Sequence, residues 1–335
     1  MKGDLLVLDA QGGRTRAAWL RDGRLQDLLI DPDDDRPRPG AIFRAVCDRP
    51  VKGQGGMFLR LPDGGSAWHR NAKGLSPGQA LTVQVTGWAE PGKAVPVTDR
   101  VLVKSRFAIA TPGAPGVNVA RSIREDETRD RLLSLAHDVL PFDRGANGLI
   151  LRSAAAAAPE AEVAEDVLRV WEAAAAILSE AGAEPAFLLD GPDAHDVARN
   201  EWPEAAVSRD WALVADDVEA LRSPRVPLGA VTLYVEPTRA FVAVDVNTPE
   251  GGAGGLRANI AAVREVPRQL RLRGLGGQVV LDLAPMAKKD RRGVEAALRA
   301  ALRDDPVETS IIGWTPLGHL ELTRRRERLP LELPT

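Results

Sequence analysis

At 335 residues, with 44% hydrophobic and 27% charged residues, the chain has the composition of a folded globular protein with room for more than one module. It contains no uninterrupted apolar run of about 18 residues, and the opening MKGDLLVLDAQGGRTR has only a short apolar run broken by Asp9, so neither a membrane helix nor a secretory signal is read and a cytoplasmic location is expected. A net charge of −3 argues against gripping nucleic acid by bulk positive charge, and the lone Cys47, read as a buried thiol, excludes an internal disulfide and a multi-cysteine zinc site within one chain.

Residues 3–9, 15–20 and 24–30 read as short strands separated by Gly-containing turns, and DPDDDRPRPG at 31–40 reads as a boundary loop. From 41 to 103 five short apolar segments with Gly or Pro between them predict a small β-barrel. FAIATPG and NGLILRSA predict strands on either side of a helix over 124–138. An alanine-rich helix is expected over 158–182, with Leu168, Trp171, Ala175 and Leu178 on its apolar stripe. Further on, strands over 230–236, 240–247, 276–283, 308–315 and 319–325 alternate with helices over 256–273 and 287–304, the pattern of a mixed α/β layer.

Residues 242–255, VAVDVNTPEGGAGG, break the logic of a strand that only packs. Side chains alternate along a strand, so Asp245 and Asn247 share a face where the apolar run stops. Asp282 ends a second apolar run, QVVLD. If these strands are neighbours, two carboxylates and an amide converge at one sheet edge, a hard-oxygen set suited to Mg²⁺ or Mn²⁺. The alternative is that each aspartate merely caps a helix or forms a turn. A dinucleotide-binding loop fails on register, because the glycine pattern begun at Gly252 and Gly254 meets Arg257 where its third glycine belongs. His69, His137, His195 and His319 lack metal-ligand spacing and read as surface or core residues. Three basic runs, RQLRLRG (268–274), KKDRR (288–292) and TRRRER (323–328), flank the Asp/Asn stretch and point towards a phosphate-rich ligand.

The stretch from VAVDVN through RQLRLRGLGGQVVLDL to LGHLELTRRR resembles the catalytic core of the ribonuclease E/G family. RLQDLLID and GAIFRAV resemble the family's entry into an inserted OB-type RNA-binding barrel, and GVNVARSIRED and NGLILRSA resemble its 5′-phosphate-sensing region. The resemblance implies an α+β chain of several subdomains. These are an RNase H-like scaffold (1–35 and a shortened 187–225), an OB-fold barrel (36–103), a sensor-like region (104–186) and a DNase I-like catalytic α/β subdomain (226–335).

It further implies a Mg²⁺-dependent endoribonuclease, a hydrolase acting on single-stranded RNA in rRNA processing or mRNA decay and leaving 5′-phosphate and 3′-hydroxyl ends. Asp245 and Asp282 would hold the metal, and Asn247 would orient a ligand or the scissile phosphate. Phe58 and Trp68 match RNA-stacking aromatics and Lys93 a basic contact, with Phe58 also readable as barrel core. Arg152 and Ser153 match a pair that binds a 5′-monophosphate, and Arg121 a backbone contact. Some positions depart from the family pattern. The cysteine-rich zinc link and the small dimerisation domain are absent, so a zinc-linked tetramer is not expected, while another homo-oligomer stays open. Arg239 stands where many members carry a glutamate near the metal, and Glu308 where an arginine assists the sensor. The second reading is accordingly a non-catalytic RNA-binding homologue.

Overall fold

The computed structural model describes residues 3–331 except 52, 54, 72, 91, 181 and 249–254, so residues 249–254 of the 242–255 motif, with Gly252 and Gly254 of the rejected dinucleotide loop, lie outside the described residues. Two compact units emerge, one formed by residues up to 35 together with those from 193 onward, the other by residues 36–192 inserted between them.

The chain starts with a three-stranded meander, β1 (Asp4–Gln11), β2 (Arg14–Arg21) and β3 (Arg24–Ile30). Its two-residue turns, Gly12-Gly13 and Asp22-Gly23, hold φ values of 61°, 84°, 51° and 76°. Positive φ at both central residues is what a hairpin turn matching the strand twist requires, which is why Gly and Asp stand there.

In the inserted unit, β4 (Ile42–Pro50), β5 (Met57–Arg60), β6 (Ser66–His69), β7 (Ala80–Val85) and β8 (Val95–Thr98) bond in the order β4-β5-β6-β8-β7, and β7 returns to β4. The predicted barrel is therefore present, closed and OB-like. Alternate residues fill its core, among them Phe43, Cys47, Met57, Leu59, Ala67, Val83 and Val97. Cys47 is a free buried thiol as expected, and burial raises its pKa.

Beyond the barrel follow β9 (Val103–Lys104), β10 (Ala108–Thr111), β11 (Gly116–Val119), α1 (Asp126–Val139), β12 (Gly148–Leu151), α2 (Glu160–Ser179) and β13 (Ala186–Leu189). The sheet runs β11-β12-β10-β9, and β13 pairs with β4. The stripe on α2 differs from the expected one. Val163, Val167, Val170, Trp171, Ala174 and Ile177 are buried, whereas Leu168 and Leu178 are exposed. Both stripes contain Trp171, and an alanine-rich helix offers apolar residues on several faces; the branched valines set the side that packs on the sheet.

The first unit resumes with α3 (Ala194–Glu201), β14 (Ala206–Ser208), α4 (Ala215–Ala220), β15 (Arg225–Leu228), β16 (Val231–Pro237), β17 (Val242–Asn247), α5 (Gly255–Leu272), β18 (Gly277–Asp282), α6 (Arg291–Arg303), β19 (Thr309–Trp314) and β20 (Leu320–Arg324). β14 joins the opening meander parallel to β1. The last six strands form a separate sheet, β15-β16-β17-β18-β20-β19. Its pair β17–β18 is parallel, with α5 as the crossover, and α5 and α6 cover one face over Leu233, Val244, Leu281 and Leu320. Among the described residues no helix is long and apolar enough to cross a membrane.

Candidate active site

Parallel strands finish at the same sheet edge, and β17 and β18 finish in register, with Asp245 directly opposite Asp282. The alternation that buries Val242, Val244 and Val246 beneath α5 turns Asp245 and Asn247 to the helix-free face. The condition posed by the sequence is met, and the carboxylates are side by side. Asn247 Nδ2 donates to Asp245 Oδ2 at 2.7 Å. Across β16, Tyr234 stands opposite Asp245 and Thr232 opposite Asn247. Asp282 is 65% exposed at its side chain, so the edge is open to water and solutes.

The segment leaving β18 is fixed from below. Asn259 on α5 is fully buried; its Nδ2 donates to Ala284 O at 2.8 Å and its Oδ1 accepts from Ala284 N–H at 2.9 Å. On the other side, β20 runs antiparallel to β18 with Leu320 opposite Leu281, so the preceding residue, His319, falls beside Asp282. His319 Nδ1 lies 3.2 Å from Asp282 Oδ1, at ion-pair distance but outside hydrogen-bond geometry.

Among the described residues no group of three or more His, Cys, Asp or Glu is arranged to hold a metal ion. The pair of carboxylates still suits one class of cation. Mg²⁺ commonly takes one or two protein carboxylates and completes its octahedron with water and substrate phosphate. A cation demanding a closed cage of protein ligands does not fit this edge.

On the barrel, Phe58 and Trp68 face each other across β5 and β6, with ring centroids 5.0 Å apart. Their neighbours Met57, Leu59 and Ala67 point into the core, so both rings belong to the outer surface, where they are half-buried. Phe58 is therefore not barrel core. A Cβ at Gly56 would meet Trp68 Cζ2 at 2.2 Å, which means that the indole lies on a backbone only glycine allows there. Arg49 stacks over Phe58 at 5.4 Å. Lys93, on the loop before β8, is exposed and bonded to Glu90 at 2.8 Å.

In the sensor-like region β11 and β12 run parallel with Val119 opposite Leu151, so Arg121 and the Arg152–Ser153 pair leave the same end of the sheet. Arg121 and Ser153 are exposed; Arg152 is half-buried and donates to Ser105 O.

Most arginines of two of the three basic runs serve the fold instead of a ligand, contrary to the expectation from sequence. From RQLRLRG, Arg268 donates to Leu25 O and pairs with Glu265, and Arg271 donates to Gln26 O and pairs with Asp305. Arg273, 2% exposed, donates to Leu221 O and Gln269, and desolvation lowers its pKa to about 10. From TRRRER, Arg324 pairs with Asp305, Arg328 with Asp27 and Arg325 with Glu308. Arg268 and Arg271 tie α5 to carbonyls of the opening meander, and Arg328 ties the segment after β20 to its Asp27. Arg239 is also displaced from its expected place. It sits in the turn between β16 and β17, closed by Thr238 N–H to Phe241 O at 2.9 Å, at the strand end opposite Asp245.

The model of the ribonuclease E/G family matches residues 103–209 and 209–327. The chain belongs to this family. Ribonuclease G of Escherichia coli is 27% identical over 98% of this chain and 81% of its own length. Ribonuclease E of a Nostoc species is 28% identical over 93% of this chain and 54% of its own length, and ribonuclease G of Haemophilus influenzae is 25% identical over 98% and 80%.

In this member of the ribonuclease E/G family, two residues that support the carboxylate edge, His319 and Asn259, stand out only in the structure. The sequence places His319 among core and surface histidines, a description that suits buried His69 and exposed His137 but not a side chain beside Asp282. Its signal was its position just before the strand HLELTRR, legible only with the order β18–β20 known. Asn259 carried the signal of an amide among the apolar residues of an amphipathic helix.

Proposed function

We propose that this protein is a Mg²⁺-dependent endoribonuclease that hydrolyses phosphodiester bonds of single-stranded RNA, leaving 5′-phosphate and 3′-hydroxyl ends, in RNA processing or decay. The observation that carries the reading is the register of Asp245 against Asp282 with Asn247 on the same face. The names of the relatives, ribonucleases G and E, support it.

Asp245 and Asp282 would hold the cation, with Mn²⁺ the natural substitute, and Asn247 would orient Asp245 and the scissile phosphate. Bound there, the ion would polarise a phosphodiester oxygen and lower the pKa of a water. Phe58 and Trp68 offer π-faces to unstacked bases without regard to sequence, which suits a single-stranded substrate. Arg121, Arg152, Ser153 and Lys93 supply donors for backbone and terminal phosphates. Glu308, paired with Arg325, contributes no positive charge, and a weak preference for 5′-monophosphorylated RNA follows. The order β3-β2-β1-β14 supports reading the meander as a trimmed RNase H-like scaffold, and the sheet of β15–β20 under α5 and α6 supports the DNase I-like reading of the catalytic part.

The test is cleavage of a 5′-monophosphorylated, A/U-rich single-stranded RNA, in Mg²⁺ and in EDTA, by wild type and Asp282→Asn. Metal-dependent cutting that the variant loses supports the nuclease. Binding without cutting across several RNAs would move the reading to a non-catalytic RNA-binding homologue.

A further inference from the structure

The run KKDRR at 288–292 differs from the other two basic runs in having no carboxylate partner for its cations among the described residues. Lys288, Lys289 and Arg292 are exposed and Arg291 is half-buried. The segment begins six residues after Asp282, in a 3-10 turn (Lys288–Asp290) that leads into α6. Its one acid, Asp290, leaves the run with a surplus of three positive charges.

Position gives this surplus a direction. Leu281 is opposite Leu320, and Leu320 is opposite Trp314, so the turn between β19 and β20 lies at the sheet end where Asp282 sits. Trp314 is held there by its Nε1–H, which donates to Glu295 Oε1 at 2.7 Å. The Arg291 guanidinium lies over the Trp314 ring at 4.4 Å, and a Cβ at Gly318 would come within 3.3 Å of its Nη2. Arg291 is thus lodged against the same turn that presents His319 to Asp282. A guanidinium stacked on an indole keeps its in-plane N–H donors for a planar or tetrahedral anion and loses little freedom on binding one. β19 is two strands from β18, roughly 10 Å away at the usual strand spacing. That places the cations beside the carboxylate edge, not on it.

We infer that Lys288, Lys289, Arg291 and Arg292 form a cationic rim that holds RNA backbone phosphates adjacent to the scissile one. The inference deepens the nuclease reading and rests on it. In a chain of net charge −3, where Arg268, Arg271, Arg273, Arg324 and Arg328 of the other two basic runs are tied to carboxylates and carbonyls, this rim supplies long-range attraction that brings a polyanion to Asp245 and Asp282.

The test is the salt dependence of binding of a fluorescent A/U-rich single-stranded RNA by the full chain in EDTA, where no cutting occurs. Each phosphate neutralised on a single strand contributes about −0.7 to the slope of log K against log salt. Lys288→Gln/Lys289→Gln, which changes only exposed side chains, flattens the slope by about 1.4 units, and adding Arg291→Gln and Arg292→Gln flattens it by about 2.8 in all. Arg222→Gln, at an exposed arginine paired with Glu219, leaves the slope as in wild type. An unchanged slope in the double and quadruple variants, with RNA still bound, overturns the rim and leaves the nuclease reading standing. A wild-type chain that binds no RNA overturns both.

Discussion

Asn259 and Ala284 are joined through both halves of one side-chain amide, donor to carbonyl and acceptor to N–H, in a fully buried setting two residues past Asp282. The pairing makes α5 the support for the segment that carries the carboxylate out of β18. Asn259→Ala would leave the N–H and C=O of Ala284 buried without partners, at about 1–3 kcal/mol for an unsatisfied group. A loss of about 2 kcal/mol in urea unfolding is expected. The Mg²⁺ concentration for half-maximal cleavage should rise, with RNA binding in EDTA unchanged; an equal loss of Mg²⁺ and RNA affinity would mark the residue as structural only.

Asp245→Asn and Asp282→Asn each keep size and hydrogen-bonding capacity while removing a charge from an open edge, so both should fold like wild type. Outer-shell partners of metal ligands typically cost 10–100-fold when mutated, so loss of a ligand itself should lower cleavage by at least about 100-fold. RNA affinity in EDTA should hold. Full cleavage by either variant would remove that carboxylate from the metal assignment.

Much of this could be read from the sequence, and the parts that could not share a cause. Gly12-Gly13 and Asp22-Gly23 announce tight hairpins because only certain residues tolerate positive φ, and the alternation in VAVDVN announces a strand with a polar face. Both signals are local. Whether Asp245 meets Asp282 depended on strand order, which the sequence could pose only as a condition. The arginines of RQLRLRG were misread for the same reason: their partners, Leu25 O and Gln26 O, lie more than two hundred residues away. A run of charge does not reveal whether it will meet water or a carbonyl. His319 became visible only when β20 fell beside β18.

The contact between Gly56 and Trp68 allows a separate test of the barrel surface. Stacking on a base is worth about 1–3 kcal/mol, so Trp68→Ala should weaken RNA binding by about 5- to 150-fold with the metal site untouched. Gly56→Ala keeps the aromatic but places a methyl 2.2 Å from its ring, which must swing off the surface. It should reproduce part of the loss, and in a Trp68→Ala background, where only the 2.9 Å contact with His69 O remains, it should add less than it costs in wild type. Fully additive losses in the double variant would mean that Gly56 acts through the barrel backbone at His69 and not through the indole.

Glu265 tests the interior role of the α5 arginines through pH. Burial works to raise its pKa, but the Gln269 amide and the charges of Arg268 and Arg24 outweigh burial, and the carboxyl titrates below the ordinary glutamate value of 4.5. The folded state therefore binds this proton more weakly than the unfolded chain does. The resulting stability is present above about pH 4.5 and is lost as pH falls through the folded-state pKa. Glu265→Gln should cost about 1.5–3 kcal/mol at pH 7, the range for hydrogen bonds to a charged group, towards the lower end because Arg24 is largely exposed. Urea unfolding of both proteins between pH 7 and pH 3 provides the check. The gap between them should narrow as the wild-type carboxyl takes up its proton; a gap that stays constant would mean that Glu265 contributes by shape and not by charge.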